Sequence, residues 1–315
     1  MILKHSYILT DNGWNTIQNL FIGQKIYGIV NNKLILSTIL NIKPNNKLKH
    51  VYIINHSPLS PETKLLTKNK KIKKVKNIKN TNILSLPKYD YSGYKLNPII
   101  HKESMFDTCL ILKLIGYFIK CGELKEKNIT SFKNKKNKLK IIAETLNLLK
   151  IKNFISINNK GLLLNTYNKD LYDFLLQFRS GKDKHIPRKF LNFDKLYLNY
   201  LLNAMSELSF SKTSQVITTS SAKIVDNIHE ISIKVNKFFN TTAIYRNPMT
   251  RKQYDPLNCS DMPYFETKII SSYGSSKVTK NKISSTSYKL SLSPEPKFIP
   301  IRNQSKLLWI TYSKD

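Results

Sequence analysis

Apolar residues crowd the stretch from Leu110 to Ile119, at Leu110, Leu112, Leu114, Ile115, Tyr117, Phe118 and Ile119. That density exceeds a one-sided stripe and predicts a helix over residues 103–122, buried on most sides. Gly116 interrupts it. A mid-helix glycine costs about 1 kcal/mol against alanine, so its presence predicts close approach by a second helix. Gly122 predicts a stop in the left-handed conformation.

Before this helix the pattern is different. Residues 1–43 alternate short apolar runs with turn signals, Asp11-Asn12-Gly13 and a hairpin tip at Asn31-Asn32, and predict a small β-rich unit. Pro87 to Pro98, with Gly93 between, reads as the way out of it. After the helix come a strand at 128–134, a helix at 137–151, a hairpin at 154–168 turning at 158–161, and a helix at 169–178. The sum is an α+β chain.

Composition adds charge to this picture. Against 52 Lys+Arg stand 20 Asp+Glu, a net +32, and only five of the cations are arginine. Lys, Asn and Ile are inflated together, as AT-rich coding produces; that accounts for lysine over arginine but not for the shortage of acids. The excess predicts a polyanionic partner, with nucleic acid first. No single amphipathic helix gathers the charge, as a membrane-surface binder would require. No apolar run reaches the roughly 18 residues of a membrane span, and the N-terminus lacks a signal peptide's regions, so an intracellular, organellar or viral setting is expected. Cys109, Cys121 and Cys259 have neither pairwise nor metal-ligand spacing.

The letters L-I-G-Y-F-I-K-C-G, Leu114 to Gly122, resemble the first motif of the LAGLIDADG (dodecapeptide) homing endonucleases in the form seen in inteins. The resemblance implies two motif helices packed side by side at a pseudo-twofold axis, each delivering one carboxylate, from just before its last glycine, to divalent metal. Here that position is Cys121. Residues 185–210, HIPRKFLNFDKLYLNYLLNAMSELSF, resemble the passage into the second motif, and in register from Ile186-Pro187 its acid and glycine fall on Ser209 and Phe210. Residues 217–247 resemble the strand, long helix and strand that follow. Gly116, Gly122 and Ala204 are the expected packing positions of the two helices.

Residues 1–28 resemble an intein's opening block, with Leu9-Thr10, Gly13-Trp14, Ile17, Leu20 and Gly23 in register. The nucleophilic cysteine of that block falls on Met1, and its G-D pair on Gly23-Gln24. In the next block a T-x-x-H histidine is replaced by Thr63, with His56 out of register. Asn258-Cys259 is only an echo of an intein's last block. The implied organisation is a Hint-like region over 1–95, a linker at 96–102, and a pseudo-twofold LAGLIDADG-like α/β domain over 103–290. Its repeats span about 103–180 and 186–290, and 291–315 stays unassigned.

With Cys121 and Ser209 in the acid positions and Met1 and Thr63 in the splicing positions, neither cleavage nor splicing is expected. A thiol is a poor ligand for Mg2+, which takes oxygen. The expected function is nucleic-acid binding by a monomer, with double-stranded DNA ahead of RNA, no cofactor, and a place in a larger nucleoprotein assembly. Candidate contacts are Lys133, Lys135, Lys136 and Lys138 in the first half, Arg246, Arg251 and Lys252 in the second, and the basic run at 68–79. Two alternatives stay open. One is an RNA-binding or protein-interaction scaffold in a ribosome, transcription complex or virion. The other is an active Mg2+-dependent endonuclease using displaced acids, Glu123 and Glu207.

Overall fold

The computed structural model describes residues 2–312 except 5, 49, 55–56, 80–83, 86, 95–98, 102–103, 159–160, 209–215, 245–263, 271–277, 282–284 and 304–305. The chain divides into two compact units. The first is Met1–Ser92 with Ser232–Asn240 and Ile269–Asp315; the second is Gly93–Ile231 with Thr241–Lys268.

Antiparallel pairing builds the first unit. Strand Tyr7–Thr10 pairs with Gly13–Thr16 and, through Thr10 opposite Ile26, with Lys25–Val30. Lys25–Val30 turns back into the long strand Lys33–Leu48 through Asn31 and Asn32, at φ 48° and 58°. Two successive positive φ values match the right-handed twist of the flanking strands, and asparagine tolerates them. Lys33–Leu48 also pairs with Ser285–Ser293. Tyr7–Thr10 pairs with Phe298–Asn303, Ile8 opposite Ile301, and Phe298–Asn303 pairs with Lys306–Thr311. Ile8, Leu9, Ile26, Ile301 and Trp309 are buried in this core.

Two stretches near the C-terminus pair with the first unit. Ser285–Ser293, which begins inside the expected second repeat of about 186–290, pairs with Lys33–Leu48, where Leu290 and Leu292 are buried. The stretch 291–315, left unassigned by the sequence, supplies Phe298–Asn303 opposite Tyr7–Thr10 and Lys306–Thr311 beyond it, because the edge of an antiparallel sheet needs a partner for its backbone groups.

Among the described residues six α-helices follow in chain order: α1 Thr108–Cys121, α2 Lys136–Leu148, α3 Lys169–Leu176, α4 Arg188–Leu191, α5 Lys195–Glu207 and α6 Ala222–Lys234. All but the last turn of α6 lie in the second unit. α1 starts later than its apolar pattern suggests. The Asp107 carboxylate accepts from Leu110 N at 2.9 Å and caps it, while Ser104–Phe106 pairs with Ile99–His101 as a short hairpin. α5 is capped in the same way by Asp194 on Leu196 N.

A four-stranded antiparallel sheet in the order Gly122–Lys125, Ile129–Lys133, Gly161–Thr166, Phe154–Asn158 completes the first half of this unit. A second pairing joins Val216–Thr219 to Tyr264–Ile270. Among the described residues, no helix is long and apolar enough to cross a membrane.

Candidate nucleic-acid interface

α1 and α5 pack on each other at their small residues. A Cβ built on Gly116 would lie 2.6 Å from Ala204 Cβ, 2.9 Å from Leu201 O and 3.1 Å from Met205 N, so only glycine lets the backbones approach this closely. Around that contact Ile111, Leu112, Leu114, Ile115, Phe118, Leu198, Leu201, Leu202 and Met205 are buried. The density of apolar residues in α1 is thus explained by packing on several sides.

Gly122 differs from the expectation. Its backbone is extended, at φ −84° and ψ 153°, and it opens the strand Gly122–Lys125. The need for glycine here is steric: a Cβ would meet the Phe118 ring at 2.3 Å and Phe118 Cα at 2.7 Å.

The end of α1 carries a group that sequence reasoning missed. Lys184 Nζ donates to Gly122 O at 2.6 Å, Phe118 O at 2.8 Å and Ile119 O at 3.2 Å, and lies 5.0 Å from the centre of the Phe118 ring. The last carbonyls of a helix lack onward partners within it, and a buried ammonium with three donors supplements them; Phe118 O also accepts from the Gly122 backbone N–H. The lysine is itself held in place: Ser221 Oγ donates to Lys184 O at 2.6 Å, and Ile186 N donates to Asn227 Oδ1 at 2.8 Å. Burial lowers the Lys184 ammonium to about 8, against the smaller opposing pull of Cys121 and Glu123. Nothing in a loop Lys-His-Ile-Pro distinguishes this lysine from its neighbours in the sequence.

Cys121, where the resemblance expects the first metal carboxylate, is pushed up to about 11, by burial first, with Asn134, Lys184 and Lys120 acting the other way. A protonated thiol beside an ammonium offers no oxygen ligand, so this end of α1 does not fit Mg2+. Among the described residues, no group of three or more His, Cys, Asp or Glu side chains is arranged to hold a metal ion. Ser209 and Phe210 lie outside the described residues, as do Met1, Asn258, Cys259 and the expected contacts Arg246, Arg251 and Lys252. At pH 8 a thiol with this ionisation is about one part in a thousand thiolate. Cys121 is expected to react with iodoacetamide roughly a hundredfold more slowly than a free cysteine, with half-maximal rate near pH 11, read by peptide mass mapping.

The displaced acids have other surroundings. Glu207 Oε2 accepts from Tyr117 Oη at 2.6 Å and lies 3.9 Å from Lys113 Nζ, tying α5 to α1. Tyr117 is raised far above the usual phenol range, by burial first and then by Glu207. Glu123 sits on the sheet, opposite Ser131 and exposed.

Of the expected lysine contacts, Lys133 is exposed on the strand Ile129–Lys133, Lys135 precedes α2, Lys136 opens it, and Lys138 Nζ donates to Glu207 O at 2.5 Å. Lys120 Nζ donates to Thr218 Oγ1 and, at 3.3 Å, to Thr218 O. In the first unit the run at 68–79 is partly paired, Lys74 and Lys76 each 2.7 Å from Glu62. Thr63 is buried there, its carbonyl accepting from Val75 N at 2.7 Å.

No family model matches the chain, and no curated protein does. Among solved structures, homing endonucleases are similar to it. One is I-DmoI, in complex with DNA and Ca, at 10% identity over 52% of this chain and 84% of that one, with a TM-score of 0.35. Another is I-WcaI bound to its DNA recognition sequence, at 13% identity over 51% and 76%, with a TM-score of 0.32. Similarities of this size leave fold and function to be argued from the helices and the sheet themselves.

Proposed function

We propose that the chain binds nucleic acid, double-stranded DNA in the first place, and does not cut it. The observation that carries the proposal is the pairing of α1 with α5 across Gly116 and Ala204 while the end of α1 presents Cys121 and the Lys184 ammonium in place of a carboxylate. On this reading a helix pair of LAGLIDADG type is kept and its metal chemistry is not. What remains is a basic scaffold of net charge +32 with Lys125 and Lys133 on one face of the adjoining sheet.

The first unit belongs to the same proposal as an intein-derived, Hint-like region without splicing chemistry. Thr63, where the assisting histidine would stand, has no imidazole to offer the first acyl shift. The proposal extends to a role as a structural or regulatory subunit of a nucleoprotein assembly, a setting suited to binding without turnover.

Phosphate contacts make affinity fall with salt, the slope of log K against log salt being about −0.9 per neutralised phosphate on duplex DNA. Titration of a fluorescent random-sequence duplex between low and physiological salt is expected to give a steep slope. Replacing Lys133 and Lys136 together by Gln is expected to flatten it by up to about 2. A slope near zero in the unaltered protein would remove the proposal.

A further inference from the structure

The strand register of the four-stranded sheet sorts its residues onto two faces. Gly122, Phe132, Leu164 and Ile155 stand in one row across the four strands. The space a Gly122 Cβ would enter is filled by Phe118, so this face looks toward α1. Phe154, Asn165, Ser131 and Glu123 form the adjacent row, with side chains on the opposite face, and Ser156, Leu163 and Lys133 lie in the next row on that same face.

The second face is not an ordinary solvated one. Ser131 Oγ donates to Asn165 Oδ1 at 2.5 Å and Asn165 Nδ2 donates to Ser156 Oγ at 2.7 Å, a polar ladder across three strands. At its outer end the Phe154 ring stacks on Tyr167, with centroids 5.3 Å apart and planes 15° off parallel. Phe154 is 42% exposed and Tyr167 61% exposed, so a stacked aromatic pair stands partly open to solvent beside the ladder. Lys133 and Lys125 share this face.

Flat rings partly open to water, held at the end of a buried polar ladder on a face that also carries lysines, are the composition that receives unpaired bases. Each base has a π-face to stack, its backbone brings phosphate to the lysines, and the fit is tolerant of sequence. A duplex offers no such face along its length because its bases are stacked on one another. We infer that Phe154 and Tyr167 form a stacking platform for an unpaired base of the bound nucleic acid, a single strand, a bulge or a flipped nucleotide. The inference rests on the nucleic-acid reading above and adds the kind of nucleic acid preferred at this edge of the sheet.

Three fluorescently labelled DNA probes test it with the full chain: a single strand, its blunt duplex, and that duplex carrying a one-nucleotide bulge. The bulged duplex, which offers a helix and an unpaired base together, is expected to bind more tightly than the blunt duplex, and the single strand is expected to bind through the aromatic pair. Phe154→Ala and Tyr167→Ala are each expected to lower affinity for those two probes by about tenfold, with affinity for the blunt duplex unchanged. Phe154→Tyr and Tyr167→Phe, which keep the rings, are expected to bind as the unaltered protein does. Tyr167→Trp provides a readout that survives any loss of stability in the alanine variants, because stacking of a base quenches indole emission. Its fluorescence is expected to fall with the unpaired probes and not with the blunt duplex. Equal binding of all three probes, or alanine variants that bind every probe normally, would overturn the stacking platform while leaving the nucleic-acid reading in place. Failure of every probe to bind would overturn both, a separate result.

Discussion

Lys184→Met is expected to destabilise the second unit by about 3 kcal/mol. The substitution keeps the length and the apolar stem of the side chain, so what it removes is the ammonium. Three carbonyls at the end of α1, of Phe118, Ile119 and Gly122, then lose the ammonium as a donor, although Phe118 O keeps the backbone N–H of Gly122. Hydrogen bonds to charged groups contribute about 1.5–3 kcal/mol each, and stranded buried carbonyls add their own desolvation. Relief from burying a charge offsets part of this. Equilibrium denaturation in urea, followed by far-ultraviolet circular dichroism, measures the difference.

The pH dependence carries the sign of the lysine's burial. Its ammonium titrates at about 8 in the folded chain against 10.5 when free, so between those values the unfolded chain holds the extra proton. Stability from this group therefore rises with pH through that window, is fully present above it, and is lost as pH falls through about 8. Cys121 acts in the opposite sense from 9 to about 11, where the folded chain holds the proton longer. The gain from the lysine alone is thus expected between pH 8 and 9, and it is expected to be missing in Lys184→Met.

Gly116→Leu is the second large effect, expected to cost several kcal/mol or to prevent the second unit from folding. Even Gly116→Ala places a Cβ 2.6 Å from Ala204 Cβ and 2.9 Å from the backbone oxygen of Leu201. Alanine gains about 1 kcal/mol of helix propensity over glycine, but separating two packed helices costs about 1–3 kcal/mol, so a net loss is expected. Ala204→Gly removes the nearer obstacle and leaves Leu201 O in place. A double-mutant cycle is therefore expected to show partial rescue, with a coupling of about 1 kcal/mol between positions in contact. Additive losses would mean that the two residues do not meet.

The helices of the second unit were legible because their signals are local. The apolar crowding of Leu110 to Ile119, the hairpin around Asn158 to Gly161, and the helix beginning at Lys169 all follow from residues a few positions apart. Gly116 was legible for the same reason, since a glycine that costs helix stability asks for a neighbour. The closing strands of the first unit were not. Ile301 stands opposite Ile8, and Phe298–Asn303 carries Pro300, so neither the pairing nor the strand itself announces its partner from nearly the whole chain away.

Within the candidate site, the thiol at Cys121 could be placed by its register in the motif. Lys184 could not, being one lysine in a loop of a chain with 52 Lys+Arg. Its significance comes from burial against the end of α1, which no local pattern encodes. Gly122 shows the same limit from the other side. The sequence asks for glycine there, but the reason is the Phe118 ring and not a left-handed turn.

The central claim, binding without cutting, is tested most directly by incubating the purified protein with a random-sequence duplex library and Mg2+. Retained molecules are counted and every end is sequenced. The account predicts salt-sensitive retention of DNA whose ends are unchanged. Ends that converge on one long motif would contradict it, and would require a metal site built from residues other than Cys121 and its neighbours.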